Sequence, residues 1–389
     1  MRSVSQLRTS QRPADQHSDS SLNGEHLNGE HLDVKRPGVD KKTADLPAPV
    51  VRFRDKQIEM AHGAGGKASR KLVEGLFVPL LAGAVPQSLS DSAHVQINGA
   101  LMAITTDSFV VKPIQFPGGS IGDLAVNGTM NDLAVSGAIG RALVATFVLE
   151  EGLPTGVLEA EIRAMADAAR RAGVSIVGGD TKVVEHGKAD KMYISTTGVG
   201  ELIHGVRVDA ASVRPGDKVI LSGPIGNHGI TILLARGDLD FEADLRSDTR
   251  CVLPLVQALA KEAAPGIRWM RDPTRGGVAT SLNELARDCG LGIIISEEQI
   301  PMDDGVRGAC ELLGLDPLHI ANEGQFLAII APEYADLAMN ALTMTNGGEG
   351  ATVIGEVREH PASAVLVTTG YGGTRIIDML VGDPLPRIC

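Results

Sequence analysis

Residues 120–138 read SIGDLAVNGTMNDLAVSGA, and this stretch predicts a buried helix. Ser120 followed by Asp123 is a helix-capping signature, and the apolar positions after it predict a helix that ends at about Ser136. Asp132 lies among apolar residues of this helix, directly after an asparagine. A carboxylate buried at such a position needs a partner or a metal ion, so the helix is predicted to carry part of a functional site.

Helical and strand patterns alternate on both sides of this helix, which predicts an α/β fold. Strands are predicted at residues 102–106, 141–149, 174–177, 193–199, 218–222, 293–295, 326–330, 352–354 and 364–367. Further helices are predicted at residues 70–81, 154–173, 227–235, 248–263 and 279–289. A polar connector near residues 201–215 predicts a domain boundary. We expect a disordered extension at residues 1–56, domains at 57–203 and 212–369, and a tail at 370–389.

Composition limits the classes of function. The formal net charge is -12 and aromatic residues make up only 3% of the chain, which disfavours nucleic acid and anionic membranes as partners. A nucleotide is still compatible, because a divalent metal can screen its phosphates. The 4 cysteines include no CxxC pair, and no signal peptide or membrane-spanning apolar stretch is evident. We therefore expect a cytoplasmic protein with reduced thiols.

Three aspartates are predicted to border the ligand crevice of the first domain. Asp107 and Asp180 follow predicted strands, and Asp132 lies on the capped helix. Carboxylates at strand ends are oxygen ligands suited to Mg²⁺, which binds one or two of them together with phosphates and water. The alternative is three unrelated surface-turn aspartates.

A glycine-rich segment opens the first helix of the folded region. His62, Gly63, Gly65, Gly66 and Lys67 belong to the run HGAGGK, whose backbone N–H groups are suited to an anion. The run is not a Walker A loop, because it lacks the first glycine and the final Ser or Thr of that motif. A flexible turn is the alternative.

The chain ends on a thiol carried by a proline-containing arm. Residues 382–389 read GDPLPRIC, so two prolines hold the backbone extended before Cys389. A terminal thiol on such an arm can enter a pocket of its own protein or of a partner. A frayed terminus is the alternative.

Taken together, the motifs resemble the HypE hydrogenase-maturation family of the PurM-like, aminoimidazole-ribonucleotide-synthetase-related superfamily. The resemblance covers residues 57–389 and rests on residues 62–66, 116–119, 128–138, 179–184, 272–277, 321–324 and 386–389. One departure is Asn227, where the family pattern usually has aspartate, although His228 is retained.

The resemblance implies a two-domain PurM-like fold whose first domain forms a homodimer through its sheet. It also implies ATP and Mg²⁺ as cofactors. A carbamoyltransferase, HypF, would load a carbamoyl group onto Cys389, and ATP-dependent dehydration would convert it to a thiocyanate. The cyano group would then pass to iron on a HypC–HypD scaffold, as a ligand of the [NiFe]-hydrogenase centre.

The resemblance also implies roles for individual residues. Cys389 would carry the substrate, and either Glu323 or Lys182 would act as the base, with Glu323 favoured. The predicted ATP or phosphate ligands are, besides the glycine-rich segment, Thr129, Asn131, Thr181, Asp272 and Arg275. Two other functions stay open: a different PurM-like ATP-dependent enzyme, which would not need the terminal PRIC sequence, and a non-catalytic assembly scaffold, which would not turn over ATP.

Overall fold

The computed structural model describes residues 52–81, 90–237, 243–382 and 385–389. Contacts divide the chain after Asp45, and every described residue belongs to the unit Leu46–Cys389. The predicted disorder of residues 1–56 therefore falls almost wholly outside the described residues, as do Asp383 and Pro384 of the terminal arm.

The helices follow the capping and glycine signals of the sequence. They are α1 (Lys67–Leu72), α2 (Val78–Leu81), α3 (Ile121–Val135), α4 (Thr155–Ala172), α5 (Asn227–Ala235), α6 (Leu253–Ala263), α7 (Gly277–Cys289), α8 (Asp304–Leu313) and α9 (Ala335–Thr343). A π-helical turn, Val73–Phe77, joins α1 to α2. The predictions for α3, α4 and α5 are confirmed to within about one residue at each end. Within the described residues, no helix is long and apolar enough to cross a membrane.

A five-stranded sheet forms the first domain, with strands in the order β1-β2-β7-β5-β6. Its strands are β1 (Ala93–Ile97), β2 (Ala100–Phe109), β5 (Ala138–Glu150), β6 (Ser175–Val184) and β7 (Met192–Leu202), and a small ribbon, β3 (Gln115–Phe116) with β4 (Gly119–Ser120), precedes α3. The predicted end of β6 at Gly178 was wrong. Residues 178–180 continue the strand because they pair in parallel with residues 144–146 of β5.

A seven-stranded sheet forms the second domain, in the order β14-β13-β10-β12-β8-β11-β9. Its strands are β8 (Lys218–Leu221), β9 (Ile267–Arg271), β10 (Gly292–Ser296), β11 (Leu327–Ile330), β12 (Thr352–Arg358), β13 (Val365–Thr368) and β14 (Thr374–Ile377). The sequence did not predict β9 or β14. The helix predicted from Asp248 begins only at Leu253, because the Asp248 carboxylate instead accepts hydrogen bonds from the backbone N–H groups of Glu323 and Gly324.

One apolar core runs from the first domain into the second and includes the end of the tail. Helix α3 is buried along nearly its whole length and contributes Leu124 and Met130 to this core. The tail contributes Leu385, Ile388 and Cys389, each less than one-tenth exposed. The terminal thiol is therefore held inside the protein, where α3 and the second domain meet.

Candidate active site

Three carboxylates from distant parts of the sequence come together next to α3. Asp91 precedes β1, Asp132 lies on α3, and Asp272 follows β9, and one oxygen atom from each lies within 4.8 Å of the others. The Thr105 hydroxyl donates a 2.8 Å hydrogen bond to Asp132 and orients it. We call these three residues the carboxylate cluster. Their donor set is oxygen only, as Mg²⁺ requires, so these residues fit a divalent cation.

The side chains of the carboxylate cluster repel one another when they are ionised. Burial raises the pKa of Asp132 well above its usual value, and the charges of Asp272, Asp91 and Asp107 raise it further. Burial, followed by the charge of Asp91, raises the pKa of Asp272 to about 7. A bound divalent cation would remove this repulsion, because it supplies positive charge at the point where the carboxylates converge.

Arg271 forms ion pairs at one edge of the carboxylate cluster. The Arg271 guanidinium donates to Asp91 at 2.8 Å and to Glu284 at 2.7 Å. Because both acids surround it, the pKa of Arg271 is raised although burial alone would lower it. Asp91 was not among the predicted ligands. The only sequence signal for it is an aspartate directly before a strand, which is common in surface turns.

The predicted metal ligands are therefore separated by the fold. Asp107 and Asp132 line the same cavity of about 240 Å³, together with Asp91 and Asp272. Asp180 is exposed on the edge strand β6, where it accepts a 2.6 Å hydrogen bond from Lys182. The described part of a single chain does not bring Asp180, Thr181 or Lys182 to this cavity, because β6 lies at the sheet edge.

Glu323 is buried at the interface between the domains, with its Oε1 atom unpartnered among the described residues. Burial raises the pKa of Glu323 well above its usual value, and the charges of Asp107 and Asp272 add to the effect. Arg275 acts in the opposite direction. A carboxyl group that is buried, unpartnered and surrounded by titratable neighbours is a candidate for proton transfer.

Two predicted phosphate ligands make hydrogen bonds in the protein interior. The Asn131 amide donates to the carbonyl oxygens of Arg250 and Glu323 and accepts from the backbone N–H of Val252, so it joins α3 to the second domain. The Thr129 hydroxyl is fully buried and hydrogen-bonds Thr196 on β7 at 2.5 Å. Both side chains therefore have a structural role, and their contact with a nucleotide stays a prediction.

The glycine-rich segment is engaged by the base of the tail. The backbone N–H groups of Lys67 and Ala68 donate to the carbonyl oxygens of Leu380 and Val381, at 3.0 and 3.3 Å. The Lys67 ammonium pairs with Asp378 at 2.5 Å. These contacts engage both donors of Lys67, its backbone N–H and its ammonium group, and α1 spans only six residues.

The rest of this segment supports the cavity wall. Gly65 has a φ of +78°, and a Cβ atom there would lie 2.5 Å from the Cβ of Arg275, so glycine is required. Arg275 also donates to the carbonyl oxygen of Gly63 at 2.9 Å. His62 hydrogen-bonds Asp55 at 3.0 Å and is buried away from the cavity. The segment therefore positions Arg275.

Arg275 connects the acidic groups to the end of the chain. The charge at Cys389 is the main cause that raises the pKa of Arg275, followed by the charges of Asp107, Glu323 and Asp132. Cys389 is 6% exposed, and an oxygen of its terminal carboxylate accepts a 2.9 Å hydrogen bond from the Val110 backbone N–H. Arg275 is therefore within electrostatic range both of the terminal residue and of the acidic groups of the site.

Comparisons with known proteins agree with this arrangement. The families described as AIR synthase related protein, N-terminal domain and C-terminal domain match residues 89–202 and 214–368. A carbamoyl dehydratase HypE from Azotobacter vinelandii is 47% identical over 337 residues, which cover 87% of this chain and 98% of that relative.

Two solved structures are similar along most of the chain. One, HypE in complex with ATP, has 43% identity and a TM-score of 0.72 and covers 85% of this chain and 99% of its own. The other, from a HypE–HypF complex, has 41% identity and a TM-score of 0.75 and covers 79% of this chain and 99% of its own.

Replacing Asp132 with Asn tests the charge repulsion in the carboxylate cluster. Without divalent cations, Asp132→Asn should raise the melting temperature by a few degrees, because it replaces a carboxyl group whose ionisation is opposed by burial and by the neighbouring carboxylates. The asparagine can still accept the Thr105 hydrogen bond. Added Mg²⁺ should stabilise the wild type and leave the variant unchanged. Thermal unfolding in EDTA and in MgCl₂ measures both effects, with the exposed Glu359→Gln as the charge-matched control. An equal Mg²⁺ response in variant and wild type would exclude Asp132 as a ligand.

Proposed function

Because this chain belongs to the HypE family of carbamoyl dehydratases, we propose that it uses ATP to dehydrate a carbamoyl group on the sulfur of its own Cys389. The observation that supports this most strongly is the burial of the terminal residue within electrostatic range of Arg275, which Glu323 and Asp132 also influence. The product thiocyanate would supply a cyanide ligand during [NiFe]-hydrogenase maturation. A sibling ATP-dependent enzyme or a non-catalytic scaffold is not favoured, because neither requires a terminal cysteine inside the site.

The proposed dehydration takes place in two successive steps on the carbamoyl group. The amide oxygen attacks the γ-phosphorus of ATP and ADP leaves, so the oxygen becomes part of a good leaving group. Phosphate then departs as the carbon–nitrogen triple bond forms, and the nitrogen loses both of its protons. Because water is removed as phosphate, the protein must exclude solvent from the sulfur-bound carbon, and the burial of Cys389 meets this need.

The residues divide between phosphate and proton chemistry. Asp91, Asp132 and Asp272 would hold Mg²⁺, with Asp107 nearby, and the ion would neutralise charge between the phosphates. Arg275 supplies fixed positive charge next to the terminal residue.

Glu323 is proposed as the base that accepts the amide protons. Burial is the main cause of its raised pKa, and the charges of Asp107 and Asp272 add to it. Neutralising these aspartates removes the added repulsion and so favours the carboxylate form when the site is loaded. The unpartnered Oε1 atom supports this role, since a structural carboxylate at that depth would have its oxygen atoms hydrogen-bonded.

The placement of Lys182 supports a site shared within a homodimer. β6 is an edge strand, and its apolar residues Val177 and Val183 are 65% and 67% exposed. An exposed apolar edge favours pairing with another chain, and a second copy is the occupant that the family resemblance implies. Across such an interface, Asp180 and Lys182 of one protomer would reach the cavity of the other.

The partners follow from the position of the thiol. HypF is a partner of this family, and we propose that it carbamoylates Cys389 while the tail is outside its binding site. A HypC–HypD scaffold would then take the cyano group. We further propose that residues 57–203 and 212–369 act as the two PurM-like domains, that residues 1–56 are dispensable, and that the protein acts in the cytoplasm.

Mass spectrometry of the C-terminal peptide tests the reaction directly. After incubation with carbamoyl phosphate, ATP, Mg²⁺ and HypF, the peptide should gain a carbamoyl group and then lose one water. Cys389→Ala should still bind Mg-ATP and yield neither species. A carbamoylated wild-type peptide that never loses water in the presence of ATP would contradict the proposed function.

Adding two or three glycines after Cys389 tests the requirement for a chain end. The extension should reduce thiocyanate formation nearly as strongly as loss of the thiol, because the buried site beside Arg275 has been filled by a terminal residue. Melting temperature and carbamoylation by HypF serve as controls for folding and loading. Near-normal dehydration by the extended protein would refute the need for a terminal position.

Mixing two inactive variants tests whether the site is shared between protomers. Asp132→Asn and Lys182→Ala should each lose most dehydratase activity. After subunit exchange at equal amounts, about a quarter of the wild-type activity should return, because half the dimers are mixed and each of these has one intact site. No recovery despite demonstrated exchange would place Lys182 outside the partner's site. Full activity of Lys182→Ala alone would remove it from the mechanism.

A further inference from the structure

The main chain of the tail is held at three consecutive carbonyl groups and at its terminal carboxylate. The Arg236 guanidinium donates to the carbonyl oxygens of Pro386 and Arg387. The Nε2 atom of His228 lies 2.9 Å from the carbonyl oxygen of Ile388. The backbone N–H of Lys112 donates to the carbonyl oxygen of Arg387, and the backbone N–H of Val110 donates to the terminal carboxylate of Cys389.

One helix supplies both side-chain donors. His228 lies in the first turn of α5 and Arg236 is its C-cap residue. His228 contacts residue 388 and Arg236 contacts residues 386 and 387, so the tail runs antiparallel to the helix. Arg236 also donates to the carbonyl oxygen of Lys112 at 3.1 Å, which links it to the segment that pairs with the tail on its other side.

The donor state of His228 is fixed by its surroundings. Burial lowers the pKa of His228 to about 4, so the ring is neutral at neutral pH. Its Nδ1 atom lies 2.7 Å from the Ser247 hydroxyl, which itself accepts a hydrogen bond from the backbone N–H of Thr249. The Ile388 carbonyl oxygen can only accept, so Nε2 carries the proton of the neutral ring. Nδ1 is then the acceptor, and the Ser247 hydroxyl donates to it.

Donors that bind carbonyl groups set the depth of a chain, whatever its side chains are. A shift of the tail by one residue would move every carbonyl away from its donor by about 3 Å, which breaks a hydrogen bond. The hydrogen bonds to residues 386–389 therefore fix where the Cys389 sulfur lies relative to Arg275 and the carboxylate cluster.

We propose that His228 and Arg236 form a clamp that sets the depth of the tail in the site and thereby positions the carbamoyl group for dehydration. This inference rests on the proposed function. With the tail in the site, Cys389 is only 6% exposed, so a carbamoyltransferase cannot reach it. Loading therefore takes place with the tail outside the site, where the clamp does not hold it. Loss of the clamp should therefore slow dehydration and leave loading intact. His228 and Arg236 are positioning residues, since they contact the main chain and not the reacting atoms.

Thiol labelling measures the clamp without any ATP chemistry. Full-length protein without nucleotide is treated with iodoacetamide, and labelling of each cysteine is followed by peptide mass spectrometry. In Arg236→Lys, which keeps the charge but cannot span several carbonyl groups, Cys389 should be labelled about tenfold faster than in the wild type. The exposed Arg163→Gln on α4 is the matched control and should label at the wild-type rate. Buried Cys310 should stay protected in all variants, which verifies folding.

Single-turnover kinetics separate positioning from a general loss of structure. Arg236→Lys should dehydrate pre-carbamoylated Cys389 about tenfold more slowly and be carbamoylated by HypF at the wild-type rate or faster. His228→Phe should show the same division, which gives a second variant if the first folds poorly. Unchanged Cys389 labelling, or equal losses in loading and dehydration, would overturn the clamp. If the wild type fails to dehydrate, the proposed function fails, and labelling alone decides the clamp.

Discussion

The Arg275 guanidinium lies where negative groups of three different origins meet: Cys389 at the end of the tail, Asp107 on β2, and Glu323 between the domains. Bringing these groups together is unfavourable unless positive charge is present, and Arg275 and Arg271 supply part of it. Burial, and then repulsion among the carboxylates, raises the pKa values of Asp132 and Asp272. A site built in this way favours a cation, and it keeps its acidic groups poised for proton transfer.

The fold brings these groups together from both domains. Asp132 comes from the first domain and Asp272 and Glu323 from the second, so the site forms only where the two meet. Asn131, one residue before Asp132, joins α3 to the loops around Arg250 and Glu323. Gly128, one turn earlier, allows the ring of Phe109 to approach, since a Cβ atom there would lie 2.8 Å from it. Helix α3 is therefore both a structural connector and a ligand carrier.

The sequence predicted local structure well and long-range placement less well. The bounds of α3 followed from Ser120 and the apolar pattern, because the signals for a helix start lie within a few residues. Ser120 occupies the N-cap position, although its hydroxyl donates to the Asp123 carboxylate and does not cap the backbone. Asp91 was missed because its partners, Asp132 and Asp272, are distant in sequence and only the fold brings them together. The continuation of β6 through Gly178 and Gly179 was missed because it depends on pairing with β5, which no local pattern reports.

The same distinction explains the glycine-rich segment. Its glycines correctly indicated a close backbone approach, and the groups that approach are the chain's own Leu380 and Arg275. Sequence identifies a backbone that accepts a close neighbour, and it does not identify the neighbour. The family resemblance predicted the function through the terminal cysteine, whose place in the site depends on the tail packing that the pattern alone could not give.

A substrate carried on the chain end must satisfy two opposed requirements. Dehydration needs the sulfur buried and dry, and loading needs it exposed to another protein. Leaving the site exposes Leu385 and Ile388, which costs about 3–6 kcal/mol in apolar burial before the hydrogen bonds to the tail are counted. The buried state is therefore strongly favoured in the isolated protein, and a loading partner must bind the extended tail with enough affinity to offset this difference. Because the donors hold main-chain oxygens and not the thiol, the same hydrogen bonds are available to the free, carbamoylated and cyanated cysteine. The tail can thus return to the site after each modification without a change in the residues that bind it.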